Sequence, residues 1–192
     1  VKNSPISGLT DTELIERICL NDDQALFAEI VRRYKGKIAS TIYGMLGRTE
    51  GAEDIGQEVF IRFYRSVKNF RGDSSLGTYL TRIAINLSLN EIKKRKIKRF
   101  FSLENLQDNG IEIADNNEDR VYDDRKEIIL KAVNRLSEKH RAVVVLRLLD
   151  EYSTEETAKI LNLPVGTVLS RLARAQMKLR EFLIPFVQEY NI

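Results

Sequence analysis

The sequence has no tryptophan, one cysteine, one histidine and only three prolines in 192 residues. Cys19 alone allows neither an intrachain disulfide nor a cysteine-rich metal site. It falls in an amphipathic stretch, where a buried small hydrophobe is its expected role. His140 stands at the start of the apolar run "HRAVVVLRLL", which suits a capping or solvated imidazole rather than a catalytic one. Phosphate-cradling glycine loops and metal-ligand clusters are also missing, so neither a cofactor nor a metal is expected. No run approaches the ~18 apolar residues of a membrane span, and the opening "VKNSPISGLT" lacks an apolar signal core. The expectation is a chain of the reducing cytoplasm without direct membrane insertion.

What is present is helical. Hydrophobic residues make up 43% and charged residues 31%, and valine–threonine alternation of the kind that marks strands is absent. Thr10 and Glu13 have capping-box spacing ahead of Leu14, Ile15 and Ile18. A long amphipathic helix is expected from Asp22 to Leu46, and a third from Glu50 to Phe70 with Ile55, Val59, Phe63 and Val67 stepping by four. "RGDSS" reads as a turn. Ser74 or Ser75 would cap a fourth helix reaching about Arg99, with Leu76, Leu80, Ile83 and Leu87 inward.

Net charge is only +3, but its distribution is uneven. The run 93–99 holds Lys93, Lys94, Arg95, Lys96, Lys98 and Arg99. From Leu103 to Asp124 come eight acidic residues against Arg120 alone. That stretch cannot bury enough apolar surface to offset its ordering entropy, and it reads as an acidic flexible linker. The fold class is therefore all-α: two small helical domains, 1–99 and 125–192, joined by a linker at 100–124. Helices are expected in the second at 125–135, 138–150, 153–161 and 164–190.

Residues 153–174, "STEETAKILNLPVGTVLSRLAR", carry the most detailed pattern. Ser153 and Glu156 form a capping box, and Ala158 is small where two helices cross. Asn162 tolerates a left-handed turn, and Pro164 suits the first turn of the next helix. Val165, Val168, Leu172, Ala175, Leu179 and Phe182 make an inward stripe on that helix. Its tip offers Gly166, Ser170, Ala173 and Met177, flanked by Arg171, Arg174 and Lys178. Helix, tight turn, helix is the arrangement that enters a DNA major groove, with small residues near base edges and cations on phosphates. A helical hairpin docking on protein remains the alternative.

Two further faces stand out. On the third helix Asp54, Gln57, Glu58 and Ile61 lie off the apolar stripe, an acidic patch with an apolar member, either docking to a basic protein or merely solvated. On the fourth, Tyr79, Arg82, Asn86, Asn90 and Lys93 recur at helical spacing. An aromatic, amides and cations together suit a single-strand binder, and the loop Phe70–Leu76 can wall a pocket for a flipped base. In the plainer reading Phe70 and Tyr79 are core aromatics.

The stretch 52–96, with "EDIGQEVFIRFYRS" and "FRGDSS", resembles region two of the extracytoplasmic-function sigma factors of bacterial RNA polymerase, in the sigma-70 family. Residues 153–180, with "PVGTV", resemble region four. The resemblance implies a sigma factor that binds core polymerase and directs promoter recognition and melting. It implies polymerase binding at Asp54, Gln57, Glu58, Ile61 and Tyr64 to the clamp helices of the largest subunit, with the flap region as a further contact. It implies capture of the single-stranded minus-ten element by Phe70, Ser74, Ser75, Leu76, Tyr79, Arg82, Asn86, Asn90 and Lys93. Duplex minus-thirty-five DNA would fall to Thr167, Leu169, Ser170, Arg171, Arg174 and Lys178. It also implies an anti-sigma factor as a partner, and a linker threading the polymerase, although a solubilising tether fits the linker's composition equally well. The family usually has tryptophan at Tyr79, and lysine or arginine, a polar or aromatic residue, and arginine at Leu169, Ala173 and Gln176 respectively. A free-standing duplex-binding regulator and a protein without a DNA role are the other classes compatible with these residues.

Overall fold

The structure, a computed structural model, describes residues 6–21, 23–104 and 121–190. Among these no strand occurs. The first half comprises α1 (Asp11–Asn21), α2 (Gln24–Leu46), α3 (Glu50–Ser66) and α4 (Leu76–Glu104). The second comprises α5 (Val121–Arg135), α6 (Glu138–Val144) running into a π-helical turn (Val145–Leu149), then α7 (Thr154–Leu161) and α8 (Val165–Tyr190).

Local chemistry sets the helix starts. The Thr10 amide donates to the Glu13 carboxylate at 2.7 Å, and the Glu13 amide returns to Thr10 Oγ1 at 3.3 Å. Asp23 accepts from the Ala25 amide at 2.8 Å, so α2 begins just after the expected Asp22, which lies outside the described residues. Ser75, rather than Ser74, caps α4: its Oγ accepts from the Thr78 amide at 3.2 Å. α3 stops earlier than its period suggests. Ser66 turns its hydroxyl back onto the Arg62 carbonyl at 2.9 Å, and a 3-10 turn at Val67–Asn69 follows. The next loop turns at Gly72, whose φ of 75° is accessible to glycine with little strain.

α2, α3 and α4 pack around Ile30, Ile38, Ile42, Val59, Phe63, Leu80 and Ile85, all essentially out of solvent. Glu29 is buried with them. Its carboxylate takes Arg32 at 2.7 Å and Arg33 at 2.8 Å, and these hydrogen bonds hold its pKa down at about 2. Arg33 reaches on to Asp11 at 3.1 Å, tying α1 to α2.

The second half does not stand apart. Buried residues of both halves form one contiguous core that takes in Met45 and Leu80 together with Val145, Leu146, Tyr152 and Ile160. The π-helical turn closes through the Asp150 amide on the Val145 carbonyl at 2.9 Å. It presses Val145 so near α2 that a Cβ on Gly44 would lie 2.9 Å and 3.1 Å from its two methyls. Only glycine admits that approach. α4 runs to Glu104 and α5 begins at Val121, so both helices enter the stretch read as linker. The acidic residues between lie outside the described residues.

Candidate nucleic-acid interface

The helix-turn-helix is built as its sequence suggests. Ser153 and Glu156 exchange backbone-to-side-chain bonds at 2.8 Å and 3.1 Å. Asn162 takes the left-handed conformation with φ 51°, and Val168 meets Ala158 and Val143 in a small separate core. On α8, Val168 and Ala175 are fully buried, whereas Val165 is 42% exposed. Val165 belongs to the outer surface instead of the inner stripe, because it precedes the point where α8 crosses α7.

The outer face of α8 presents Gly166, Leu169, Ser170, Ala173 and Met177, with Leu169 52% exposed. Thr167 is half-buried, and the Ser170 hydroxyl donates to its carbonyl at 3.1 Å. Arg174 and Lys178 are exposed and Arg171 half-buried. The half-buried His140 on α6 registers their field. Burial, then Lys178, Arg171 and Arg174, push its imidazole below the usual histidine range and so toward neutrality. Sequence periodicity alone gave no sign that His140 joins this cluster.

On α4, Asn86, Asn90 and Lys93 are exposed, and Arg82 is half-buried. Tyr79 and Phe70 meet edge-to-face at 5.1 Å, and both stand against Phe63. Half-buried, they are the rim of an aromatic core as well as part of the surface. The Tyr79 hydroxyl lies 3.2 Å from Ser66 Oγ. Leu76 is buried in the core as its inward period predicts, which corrects the base-contacting role that the resemblance implied for it. Ser74 is half-buried. Ser75 is exposed, but its hydroxyl is engaged in the α4 cap and with Thr78 Oγ1 at 2.9 Å. The loop and helix therefore come together, with fewer free polar groups than the sequence promises.

α3 carries Asp54 and Gln57 exposed, Glu58 paired to Arg62 at 2.7 Å, and Ile61 and Tyr64 at the surface. Ile61 and Tyr64 border an apolar groove of about 700 Å³ whose other wall is α2, through Phe27, Ala28 and Val31. The sequence reading names no α2 residue on this face. Among the described residues no helix is long and apolar enough to cross a membrane, and no group of acidic, histidine or cysteine side chains could hold a metal.

The sigma-70 region 2 family matches residues 30–97 and the sigma-70 region 4 family matches residues 126–179. The ECF RNA polymerase sigma factor SigW of Bacillus subtilis is 39% identical, over 83% of this chain and 89% of that protein. The ECF RNA polymerase sigma-E factor of Escherichia coli K12 is 34% identical, over 94% of this chain and 97% of that one. In fold the chain resembles the sigma factor RpoE solved with the anti-sigma factor NepR from Bartonella quintana, with a TM-score of 0.65, 22% identity, and 82% and 96% of the two chains covered. It likewise resembles CnrH solved with the cytosolic domain of CnrY, at the same TM-score and identity, with 91% and 97% covered. With both regions in order along it and such relatives spanning most of its length, the chain belongs to the extracytoplasmic-function RNA polymerase sigma factors of the sigma-70 family and serves transcription initiation.

Proposed function

We propose that the two halves divide the promoter between them. Residues 1–99 bind core polymerase and the opened minus-ten strand, and residues 125–192 bind the duplex minus-thirty-five element. The chain does no chemistry of its own and works in the cytoplasm.

The observation that carries this reading is the presence, in one chain, of two unlike polar surfaces. The α4 surface is chemically mixed, with the exposed amides of Asn86 and Asn90 among Tyr79, Arg82 and Lys93. Amides can bond base edges, an aromatic can stack, and cations hold phosphates, which is what a splayed strand requires. The α8 surface is narrow at its tip and cationic at its flank, which fits a major groove and its phosphates. Leu169, where the family usually carries a cation, would offer an apolar contact in that groove instead.

Core polymerase would dock on α3. Asp54, Gln57 and Glu58 complement a basic partner, while Ile61 and Tyr64 open onto the groove formed with Phe27 and Val31. The anti-sigma complexes of the two fold relatives support a similar antagonist for this chain.

Transcription in vitro with purified core on genomic promoter fragments tests the division. Replacing Asn86, Asn90 and Lys93 by alanine is expected to abolish strand opening while duplex binding by the holoenzyme persists. Replacing Arg171, Arg174 and Lys178 by alanine should weaken duplex binding. Reversing Asp54 and Glu58 to lysine should reduce core affinity. Unchanged transcription from all three variants would refute the reading.

A further inference from the structure

α6 brings the chain's single histidine to the edge of the helix-turn-helix. His140 is half-buried where α6 packs on α8, and the charges that reach its ring are Lys178, Arg171 and Arg174. Ser137 stands at the N-cap of α6 in the extended conformation of a capping residue, yet its side chain caps no amide. Its hydroxyl lies instead 3.1 Å from His140 Nδ1. That contact orients the ring and leaves Nε2 without a hydrogen-bond partner among the described residues. The neighbouring charges are occupied elsewhere. The Glu138 carboxylate takes Lys96 of α4 at 2.7 Å, and Arg135 of α5 lies over the Phe182 ring, 4.7 Å from its centre. Arg141 donates to the carbonyls of Met45 and Leu136, and Lys139 is exposed.

Three cations around one titratable ring, with no acid to offset them, repel one another in the free protein. Burial first, then these charges, hold the imidazole toward its neutral form. A phosphate seated among them reverses the balance. It attracts all three cations and favours the imidazolium, whose two N–H groups then have acceptors, Ser137 Oγ on one side and a phosphate oxygen on the other. An acidic protein surface would satisfy the same charges, but their placement argues for DNA. Along α8 the sequence pairs Ser170 with Arg171, Ala173 with Arg174 and Met177 with Lys178, so a duplex lying against the small tip passes the cluster.

We propose that His140 is an additional phosphate ligand of the duplex-binding face, oriented by Ser137, and that the footprint of the chain on duplex DNA extends from α8 onto the start of α6. The proposal rests on the assignment of duplex binding to α8 given above. His140 binds as the imidazolium, so duplex binding takes up a proton, and the neutral ring adds no counterion release. No second histidine exists in the chain to share that uptake between about pH 6 and about pH 8.

Salt slopes measured at two pH values test it. Holoenzymes carrying the wild-type chain, His140→Gln or His140→Arg are titrated onto a duplex cut from a promoter the wild type uses and ending upstream of the minus-ten element. Glutamine keeps a hydrogen-bonding side chain that never ionises, and arginine stays charged throughout. The wild-type slope is expected to be steeper by about 0.9 near pH 6 than near pH 8, the release of one more counterion. That is an extra loss of about 3.5-fold in affinity for a fourfold rise in salt. His140→Gln should keep the shallow slope at both pH values, and His140→Arg the steep one. Ionisable groups of core are common to all three holoenzymes and cancel in the comparison. A wild-type slope unmoved by pH, or a shift that survives in His140→Gln, would overturn the proposal, and this pair decides the matter even where His140→Arg fails to fold. A pH effect confined to core affinity would overturn it too, by showing that the cluster meets protein. Failure of the underlying reading is distinct. Replacing Arg171, Arg174 and Lys178 by alanine would then leave duplex binding intact, whereas a flat pH response with those alanines still harmful strikes His140 alone.

Discussion

α4 and α8, which carry the two proposed recognition surfaces, are supported in different ways. α4 is built into the centre of the first half, with Leu80, Ala84 and Ile85 fully buried and an aromatic cluster of Phe27, Phe63, Phe70 and Tyr79 beside it. α8 sets Val168 into the small core with Val143 and Ala158, and further along it sets Ala175 into the main core, with Leu179 and Phe182 packed against it. The proposed strand-binding surface is thus carried on a helix set in one core, and the proposed duplex-reading surface on a helix divided between two. Strand opening needs rigid placement of its contacts, since any give in the support subtracts from the work done on the base pairs.

The comparison can be broken first by stability. Phe63→Ala should cost about 3–5 kcal/mol, whereas Val168→Ala should cost about 2 kcal/mol. Urea unfolding of both variants checks this, and equal losses would erase the distinction between the two supports. Next comes salt. Arg174→Ala should flatten the salt slope of duplex binding by about 0.9, and Lys93→Ala that of single-strand binding by about 0.7, because the two lattices condense counterions differently. Affinities measured across a salt series sharpen the assignment of each cation to its element.

The smallest effect is pH, where a carboxylate in each half shifts in opposite directions. The Arg32 and Arg33 bonds lower the Glu29 pKa to about 2, so its contribution to stability is complete above the ordinary carboxylate range and is lost as pH falls toward 2. Burial raises the Asp150 pKa, opposed by the Thr41 bond and Lys37. Its contribution is present below the ordinary aspartate pKa and is lost as pH rises through the raised value. Glu29→Gln should therefore flatten the acid limb of a stability profile, and Asp150→Asn should favour the closed join at neutral pH.

The helix-turn-helix was legible because its signals are local. Ser153 with Glu156, Asn162 and Pro164 each act within a turn of themselves, and the caps form as their spacing implies. The α4 site was legible only in part. Asn86, Asn90 and Lys93 face solvent as their period suggests, and Leu76 and the Ser75 hydroxyl are taken by the core and the cap as the helix signals suggest, against the DNA contacts the resemblance implied for them. The join between halves was not legible at all. "RAVVVLRLLDEY" has no helical period to betray a π-helical turn, and neither Gly44 nor Tyr152 reads locally as an interface residue. The groove wall from α2 was missed for a related reason, since Phe27 fits an inward stripe equally well.

Arg141 gives the join an unequal temperament. Its guanidinium donates to the Met45 carbonyl at 2.6 Å and the Leu136 carbonyl at 3.0 Å, and also to that of Asn134, with no carboxylate in its grip. Carbonyl oxygens neither take up protons in the physiological range nor attract a mobile counterion. That contact is therefore less sensitive to acid and to salt than an ion pair. The Lys96–Glu138 pair across the same divide, at 2.7 Å, weakens as ions are added. Rising ionic strength would weaken the ion pair while the Arg141 contact, one turn along the same helix, keeps its hold.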